Sequence, residues 1–393
     1  MKIITFSSLY PNTEQPRHGI FVEERLKNLV RSGEVEARVV APVPWFPSSH
    51  ARFGHYAEWA RIPHTQTRNG LTVEYPRYPV IPKVGMTLAP LLMAAALLGP
   101  VRRLRDSFGP DVVLDGHYLY PDGVVAAWIA RRLGLPVILT ARGSDVAVLP
   151  QYRAPRVMIQ WAVRQASRVI TVSEALRGQL ITLGAEPGKV IALRNGVDPN
   201  RFYPVDREAA RERVGLSGTT LLSVGNLLEC KGYELVIETL PALKGVNYCI
   251  VGDGPLGSQL RKLAQDIGVD KRVTFIGNVP QEQLIDYYSA ADALVLPSLH
   301  EGMPNVVLES LACGTPVIAT RCEGVPELLT TPAAGELMRQ RNQQGLIEAY
   351  GRLMANYPQR DKTRAHAETL GWEPTIASLL TVIREAGSES GYS

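Results

Sequence analysis

Short, almost uninterrupted apolar runs alternate with helical patterns along nearly the whole chain, and this alternation restricts the fold more than any other feature. An apolar run without polar alternation predicts a strand buried on both faces, as in a parallel sheet covered by helices. The sequence therefore predicts an α/β protein built from doubly wound sheets. The runs are KIITF, EARVVA, DVVLDG, PVILTA, RVITV and KVIAL in the first half, and TTLLSVG, VNYCIVG, RVTFIG, DALVLPS and TPVIAT in the second.

Two domains are predicted from the point where this pattern stops and restarts. A polar connector at residues 196–216 separates the two sets of runs, and a chain of 393 residues is too long for one ordinary core. We place an N-terminal Rossmann-like domain at 1–196 and a C-terminal one at 197–371. Ligands of such sheets bind at the carboxyl ends of the strands, so a cleft between two facing sheets is the expected site.

Two segments of the first half interrupt the alternation. Residues 42–69 are rich in Pro, His and aromatic residues, which predicts a long irregular insertion. Residues 84–106 are the most apolar in the chain, but Pro90 and Pro100 interrupt them and leave less than the ~20 residues of a membrane span. Two interpretations stay open. The segment is either a core helix with a basic C-terminal end or an interfacial helix whose arginines contact anionic head groups. Those arginines are Arg102, Arg103 and Arg105.

The charge is distributed unequally between the halves. Residues 1–200 carry 24 Lys and Arg against 15 Asp and Glu, and residues 201–393 carry 18 against 23. A basic half suits anionic lipid, a phosphorylated substrate or nucleic acid, but no dense basic cluster interleaved with aromatics supports nucleic acid. The start of the chain lacks a signal-peptide pattern and the four cysteines lack CxxC spacing. We therefore expect a cytosolic protein with reduced thiols.

A glycine-rich stretch, VGDGPLGSQL, has the GxGxxG spacing of a dinucleotide fingerprint. It follows the second strand of its half, whereas that fingerprint belongs to the first βα turn of a domain. Pro255 suits the first position of a helix, so a strand–turn–helix joint explains the stretch. Nicotinamide and flavin are therefore not expected.

The first βα turn of the second half, SVGNLLECKGYELVIETL, instead places Lys231 and Gly232 at a predicted helix start. A helix N-terminus favours anions, so a lysine there is explained by a phosphate that shares the site. A solvated surface lysine is the alternative.

The stretch HEGMPNVVLESLACGTPVIAT holds two carboxylates around another predicted helix start. Pro304 suits the first helical position, so Glu301 precedes the helix and Glu309 lies one to two turns inside. A diphosphate bound at the free N–H groups would leave one carboxylate for sugar hydroxyls and one for a ribose diol. Two surface glutamates flanking an amphipathic helix are the alternative.

Together these motifs resemble the retaining glycosyltransferases of family 4, which have the GT-B fold. VGNLLECKG, VGDGP, RNGVDPNRFYP and the E-x7-E stretch carry the resemblance, while YPNTEQPRHG, TARGSDV and TVSEAL agree more loosely. The segment GWEPTIASLLTVI resembles the family's last helix, at about 372–386, which packs back on the first domain. Subfamilies that act on cell-envelope and exported polysaccharides are the most similar. The resemblance implies two Rossmann-like domains that face an interdomain cleft, with the acceptor on the first domain.

The resemblance also implies roles for the residues that match its motifs. Glu309 would hold the ribose hydroxyls, and Glu301 the 3- and 4-hydroxyls of the donor sugar. Lys231 would neutralise the diphosphate, aided by the amide of Gly19, and backbone at 277–279 would recognise the base. The remaining donor-side residues are Asn226, Gly277, Asn278, Val279, Gly302, Met303, Pro304 and Asn305.

Two residues depart from the family pattern. The family usually has Arg where this chain has Asn226, and His where it has Arg142. Arg142 would then supply the missing charge or contact an anionic sugar or acceptor, and it joins Glu301 and Lys231 as a catalytic candidate. His117 would take the vacated imidazole role, with a satisfied core histidine as the alternative. Together with His117, the acceptor-side candidates are Ser144 and Asp145.

The predicted function is that of a hexosyltransferase (EC 2.4). It would move a sugar, with retention, from a UDP- or GDP-linked donor to a glycan or lipid-linked acceptor. No DxD pair and no His/Cys cluster occurs, so neither a metal nor another cofactor is expected. We expect a cytoplasmic protein with peripheral contact to anionic membrane at its inner face, and no nucleic acid partner. A GT-B-fold nucleotide-sugar epimerase and a non-catalytic nucleotide-sugar-binding protein are the alternatives.

Overall fold

The computed structural model describes residues 1–80, 85–109 and 111–388. The chain divides into two compact units, of which the first is Met1–Asn195 with the segment from Glu373 onward. The second unit is Gly196–Trp372. Each unit is built on its own sheet, as the two sets of apolar runs predict.

The first unit has a sheet that is parallel except at one edge. Eight strands of its described residues form it in the order β10-β9-β8-β7-β1-β2-β5-β4, and β3 pairs with β6. Only the β4–β5 pair of this sheet is antiparallel, among the pairings that the described residues make. The strands are β1 (Lys2–Phe6), β2 (Glu36–Val40), β3 (Val43–Pro44), β4 (Thr65–Arg68), β5 (Leu71–Glu74), β6 (Arg77–Tyr78), β7 (Val112–His117), β8 (Val137–Ala141), β9 (Arg168–Thr171) and β10 (Val190–Ala192).

The helices of the first unit cover both faces of this sheet. The connections run in opposite directions on the two sides of β1, and right-handed crossovers therefore put them on opposite faces. The helices are α1 (Ile20–Arg31), α2 (His55–Arg61), α3 (Gly85–Phe108), α4 (Val124–Leu133), α5 (Ser144–Ala147), α6 (Arg153–Gln165), α7 (Glu174–Thr182) and, from the end of the chain, Glu373–Ser388.

The second unit has a fully parallel sheet of six strands in the part of the chain that the structure describes. Its order is β13-β12-β11-β14-β15-β16, so the connections change direction at β11. Such a switch point is where a doubly wound sheet binds ligands, at the carboxyl ends of its strands. The strands are β11 (Thr219–Val224), β12 (Val246–Val251), β13 (Val273–Gly277), β14 (Ala293–Leu296), β15 (Val317–Thr320) and β16 (Gly335–Met338).

Helices alternate with these strands. They are α8 (Arg207–Val214), α9 (Tyr233–Thr239), α10 (Gly257–Ile267), α11 (Leu284–Ala290), α12 (Asn305–Ala312), α13 (Val325–Leu328), α14 (Gln343–Ala355) and α15 (Arg360–Glu368), which makes the first unit's final helix α16 (Glu373–Ser388). The polar connector predicted at 196–216 thus contains α8. Asp206 caps that helix by accepting from the amide of Ala209, a local signal that the connector interpretation passed over.

The prediction of an irregular insertion at 42–69 is wrong in part. This segment contains β3, α2 and β4, and β4 pairs with β5 in a hairpin. The ring of Phe46 packs against Phe53 and Tyr56 at centroid distances of 5.3 and 5.5 Å. These contacts join residues several positions apart with no fixed period, so the sequence pattern does not show them.

The prediction that prolines interrupt residues 84–106 is also wrong. α3 runs continuously over 24 residues with Pro90 and Pro100 inside it, while position 84 lies outside the described residues. Met93, Leu97 and Val101 are completely buried along one face, and this packing offsets the hydrogen bonds that proline removes. Of the described helices, α3 alone is long and apolar enough to cross a membrane by length and composition.

The four cysteines are free thiols. Cys249 and Cys313 are buried, whereas Cys230 and Cys322 are half-buried. Burial raises the pKa of the Cys249 thiol to about 12, which makes it a packing residue rather than a nucleophile.

Candidate active site

The candidate donor site of the second unit lies at the carboxyl ends of β11, β12 and β14. Gly252 has φ of +136°, and a Cβ there would lie 2.0 Å from the carbonyl oxygen of Gly225. Gly254 likewise lies against the backbone of Leu227. The glycines of VGDGPLG therefore let two loops pack backbone to backbone, which supports the structural joint and not a dinucleotide fingerprint. Helix α10 begins at Gly257, so Pro255 precedes the helix instead of starting it.

Lys231 ends a 3-10 turn at Glu229–Lys231 and does not begin a helix. Gly232 follows in the left-handed region, and α9 starts at Tyr233. A Cβ on Gly232 would lie 2.6 Å from the carbonyl oxygen of Pro297. Glycine at this position therefore brings the Lys231 turn against the loop that follows β14.

That approach produces an ion pair between two of the predicted catalytic residues. The Nζ atom of Lys231 donates to Oε1 of Glu301 at 2.6 Å. Ser298 donates its hydroxyl to the same oxygen at 2.7 Å. The side chain of Glu301 is 10% exposed and that of Lys231 27%, so the pair lies at the edge of the solvent. Such a pair can accept from sugar hydroxyls through the carboxylate and contact a phosphate through the ammonium.

Glu323 holds the Glu301 loop and was missed by the sequence reasoning. Its Oε2 accepts from the amide of Glu301 at 2.8 Å, and its Oε1 lies 2.9 Å from Nδ1 of His300. Glu323 itself has a positive φ of 21°, a conformation rare for a residue with a side chain. Its position three residues after the end of β15, at the same sheet edge, was the available signal.

Glu309 lies one turn inside α12, as predicted, but it is buried. It is 8% exposed, and Tyr288 donates its hydroxyl to Oε2 at 2.7 Å. Gln281 also donates to this carboxylate, with its amide nitrogen 3.4 Å from Oε1. The burial of Glu309 and the pairing of Glu301 exclude the interpretation of two surface glutamates.

The start of α12 differs from the prediction by one residue. Pro304 occupies the N-cap in an extended conformation, and the helix begins at Asn305. Met303 is buried, while Gly302 is half-buried in the turn before it. The first amides of a helix have no partner within it, so this end offers donors to an anion.

The remaining donor-side candidates lie in the loops that follow β11 and β13. Asn226 is exposed beside the Gly225 turn. Gly277 accepts from the amide of Gly252 at 2.8 Å, which ties the ends of β12 and β13 together. Asn278 is exposed, and Val279 is buried.

In the first unit, His117 and Arg142 belong to a polar cluster at the ends of β7 and β8. Nε2 of His117 lies 2.8 Å from Oδ2 of Asp115, and Nδ1 lies 2.6 Å from Nη2 of Arg142. Arg142 also donates to Asn195 at 3.1 Å and stacks its guanidinium over Phe21 at 5.1 Å. Both ring nitrogens of His117 therefore have hydrogen-bond partners. This arrangement favours the interpretation of His117 as a core histidine.

Electrostatics support a neutral His117. Burial lowers its pKa to about 4, with the charge of Arg142 acting in the same direction and Asp115 opposing it. Burial alone would raise the pKa of Asp115, but His117 and the nearby arginines lower it to about 2. The carboxylate then accepts the proton of Nε2, and Nδ1 accepts from Arg142.

Asp145 organises the loop after β8. Its carboxylate accepts from the amides of Leu119, Arg142 and Gly143 at 2.7 to 3.1 Å. Ser144 faces outward, and its hydroxyl lies 2.7 Å from that of Tyr118. Of these two acceptor-side candidates, Ser144 is therefore the one whose side chain is open to a ligand.

The loop that leads to Gly19 is folded on itself. Gly19 has φ of +67°, and a Cβ there would lie 2.1 Å from the carbonyl oxygen of Leu9. Asp122 fixes the start of this loop, because its Oδ2 accepts from the amide and hydroxyl of Ser8 at 2.6 and 2.9 Å. Burial raises the pKa of Asp122 to about 7, and the hydrogen bonds from Ser8 oppose it. The sequence analysis did not single out Asp122, although it lies five positions after the candidate His117.

The described residues contain no group of three or more His, Cys, Asp or Glu side chains that could hold a metal ion.

Two family models match most of the chain. "Glycosyltransferase Family 4" matches residues 18–201, and "Glycosyl transferases group 1" matches residues 206–369. The teichuronic acid biosynthesis glycosyltransferase named TuaC of Bacillus subtilis (strain 168) is 31% identical over 100% of this chain and 95% of its own length. A D-inositol 3-phosphate glycosyltransferase of Acidothermus cellulolyticus is 31% identical over 70% of this chain and 68% of its own.

Solved structures resemble the whole fold. Sucrose-phosphate synthase from Thermosynechococcus elongatus superposes with a TM-score of 0.79 at 19% identity, covering 99% of both chains. HepE of Anabaena, in complex with UDP and glucose, gives a TM-score of 0.73 at 19% identity, covering 98% of this chain and 99% of that one. With the two sheets described above, these similarities show the GT-B fold with two Rossmann-like domains.

Proposed function

The chain belongs to glycosyltransferase family 4, and from that premise we propose that it transfers a sugar, with retention and without a metal, from a nucleoside-diphosphate donor. The acceptor is a glycan or a lipid-linked sugar. The ion pair of Lys231 with Glu301, at the switch point of the second sheet, is the observation that carries this proposal, and the buried Glu309 of α12 supports it.

Each residue has a part in the proposed reaction. Lys231 and the first amides of α12 contact the diphosphate, where negative charge grows as the glycosidic bond breaks. Glu301, oriented by Ser298 and Glu323, accepts from hydroxyls of the donor sugar. Glu309, held by Tyr288, accepts from the ribose. The chain thereby positions the reacting groups and stabilises the leaving group without forming a bond to the sugar.

We propose UDP as the first donor nucleotide to test and GDP as the second. HepE, a structural relative, has been crystallised with UDP and with UDP-glucose. A relative named for teichuronic acid biosynthesis supports a cell-envelope polymer as the class of product. The proposal includes a cytoplasmic location, with peripheral contact to the inner face of an anionic membrane where a lipid-linked acceptor is presented.

The test is a panel of UDP- and GDP-sugars with and without glycan acceptors, scored by release of the nucleotide. Release that depends on the acceptor supports transfer, whereas a new sugar isomer without acceptor identifies an epimerase. Donor binding without any turnover identifies the non-catalytic protein. Proton NMR of the product gives the anomeric configuration, and an inverted product refutes retention.

Metal independence is tested in the same assay with EDTA. Because an ammonium and helix amides serve the diphosphate, we expect the rate to persist after chelation. Complete loss that Mg²⁺ or Mn²⁺ restores would contradict the metal-free mechanism. Glu301→Gln should abolish most of the rate, and Glu348→Gln, an exposed carboxylate on α14, is the matched control.

A further inference from the structure

Three helices of the first unit form one strongly basic layer. α4 packs against both α3 and α6, and α3 and α6 contact each other. Their sequences hold eight arginines and a single acidic residue, Asp106, and we call them the basic helix layer. The arginines are Arg102, Arg103, Arg105, Arg131, Arg132, Arg153, Arg156 and Arg164.

On the opposite face of the same sheet, acidic and basic side chains balance each other. α1 and α16 contact each other there and carry acidic as well as basic side chains. Arg384 of α16 pairs with Glu34, and Lys27 of α1 with Glu24. The excess positive charge of the first half is therefore concentrated on one layer of helices.

Apolar side chains are exposed on the basic helix layer. Leu91 of α3 is 58% exposed, and Leu88 and Ala95 lie on the same stripe of the helix at spacings of three and four residues. The exposed Arg102 lies on the same stripe, about two helical turns after Ala95. On α6, Val157 is 55% exposed. Exposed leucines on the same helix as three arginines, with Asp106 as the one acidic residue of the layer, distinguish this surface from an ordinary solvated face.

Aromatic side chains continue the surface next to α3. Trp45 is 57% exposed, and its amide donates to the carbonyl oxygen of Tyr78 at 2.7 Å. Tyr78 belongs to β6, which packs against α3. Phe46, the next residue in the chain, stacks its ring on that of Tyr56 at 5.5 Å. Tryptophan and tyrosine are enriched where a protein meets the membrane–water interface.

The charge and the exposed leucines together favour a lipid surface over other anionic partners. A soluble polyanion uses the arginines but gains nothing from exposed leucines, while a second copy of the chain would place like charges together. A spanning orientation of α3 would require it to leave the core, because Met93, Leu97 and Val101 are fully buried. An amphipathic helix that lies in the interface keeps those contacts.

We propose that the basic helix layer is the surface by which this protein docks on an anionic phospholipid bilayer. Leu88 and Leu91 insert among the head groups, and the arginines contact lipid phosphates. This assignment rests on the proposed function, since a lipid-linked acceptor would then be presented beside the first unit.

The experiment measures co-sedimentation of the full chain with vesicles of phosphatidylcholine alone or with about 30 mol% phosphatidylglycerol, at low and high salt. We expect binding only to the anionic vesicles, and weaker binding at high salt. Arg102→Ala with Arg103→Ala should weaken partitioning about fivefold for each arginine removed. Lys244→Ala with Lys271→Ala, two exposed lysines of the second unit, is the control for charge.

A second pair of substitutions tests the contribution of the exposed leucines. Leu88→Ser with Leu91→Ser should weaken vesicle binding while leaving binding to a soluble polyanion such as heparin unchanged. Met354→Ser, an exposed apolar residue of the second unit, is the control. Unchanged vesicle binding in the leucine variant would overturn the proposal and favour a soluble polyanion. Equal binding to neutral vesicles, or equal losses in the controls, would also overturn it.

Circular dichroism of every variant keeps loss of binding distinct from loss of folding. UDP affinity, measured on the same samples, should stay unchanged in the arginine and leucine variants, because the substituted residues lie outside the donor site. A chain that binds UDP but no anionic vesicle refutes the docking surface alone. A chain that binds vesicles but neither UDP nor GDP refutes the proposed function.

Discussion

Lys231 and Glu301 are 70 positions apart in sequence, and Nζ of the first donates to Oε1 of the second at 2.6 Å. Neither charge can be removed without leaving the other partly buried and unpaired. The pair therefore behaves as one unit in which the lysine fixes the carboxylate and the carboxylate fixes the lysine.

A double-mutant cycle of Lys231→Met and Glu301→Gln tests this unit. Charge-assisted contacts are worth roughly 1.5–3 kcal/mol, so each single variant should lower kcat/KM at least about tenfold. The double variant should lose less than the two singles combined, because both remove the same interaction. Lys262 and Asp266, an exposed pair at the same 2.6 Å on α10, are the matched control. Strict additivity at Lys231 and Glu301 would show that they act separately.

Tyr288 and Glu309 provide the second prediction. Tyr288→Phe keeps the ring but removes the hydroxyl that donates to Glu309 at 2.7 Å. The carboxylate then loses this short hydrogen bond, and we expect UDP affinity to fall about tenfold with little change in kcat. Calorimetric titration with UDP gives the affinity. Tyr357→Phe, which loses an equally short bond to the carbonyl of Asp292, should change stability without changing UDP affinity.

Asp122 predicts how stability depends on pH. Burial raises its pKa to about 7, far above that of an unfolded aspartate, so the folded chain holds a proton that the unfolded chain has lost. Its contribution to the free energy of unfolding is therefore present below about pH 4 and is lost as the pH rises to about 7. Compared with the native chain, Asp122→Asn should gain stability over this range, on the order of 3 kcal/mol in total.

Chemical denaturation at several pH values measures that difference. Asp266→Asn, at an exposed carboxylate, is the matched control. If the free energies of unfolding of Asp122→Asn and the native chain differed by a constant amount from pH 4 to pH 8, Asp122 would be ionised throughout that range. His117 acts in the opposite sense, because its lowered pKa costs stability as the pH falls from about 6.5 to 4.

The fold was predictable because a buried parallel strand appears in the sequence as a short continuous apolar run. KIITF forms β1, and TPVIAT contains β15, with boundaries that differ by no more than two residues. The short edge strand β16 was missed because GELM has too few apolar residues to stand out. α3 was misjudged because its prolines are compensated by packing that no local rule contains.

The candidate site was only partly predictable for a similar reason. Glu301, Glu309 and Lys231 lie in motifs of recognisable spacing, so they could be named from the sequence. Their partners could not, since Glu323 and Tyr288 contact them only once strands far apart in sequence are adjacent. The pairing of Lys231 with Glu301 depends on the close approach at Gly232, which is a three-dimensional property.

Arg142 is expected to control the protonation of His117. Burial is the main cause of the lowered pKa of His117, and the positive charge of Arg142, with Nη2 2.6 Å from Nδ1, lowers that pKa further. Arg142→Met should therefore raise the pKa of His117 from about 4 towards the ordinary value. An NMR titration of the ring protons measures it. Arg153→Met, at an exposed arginine of α6, is the control, and an unchanged titration in Arg142→Met would contradict the contact.

The last prediction concerns whether Arg142 replaces the positive charge that is missing at Asn226, where the family usually has an arginine. If the charge of Arg142 served the donor diphosphate, Asn226→Arg would replace it and partly rescue an Arg142→Ala variant. The guanidinium is instead held by His117 and Asn195 of its own unit and stacks over Phe21. We therefore expect no rescue, with the effects of the two substitutions on kcat/KM adding independently. A rescue of tenfold or more, about 1.4 kcal/mol of coupling, would show that the diphosphate does use this charge.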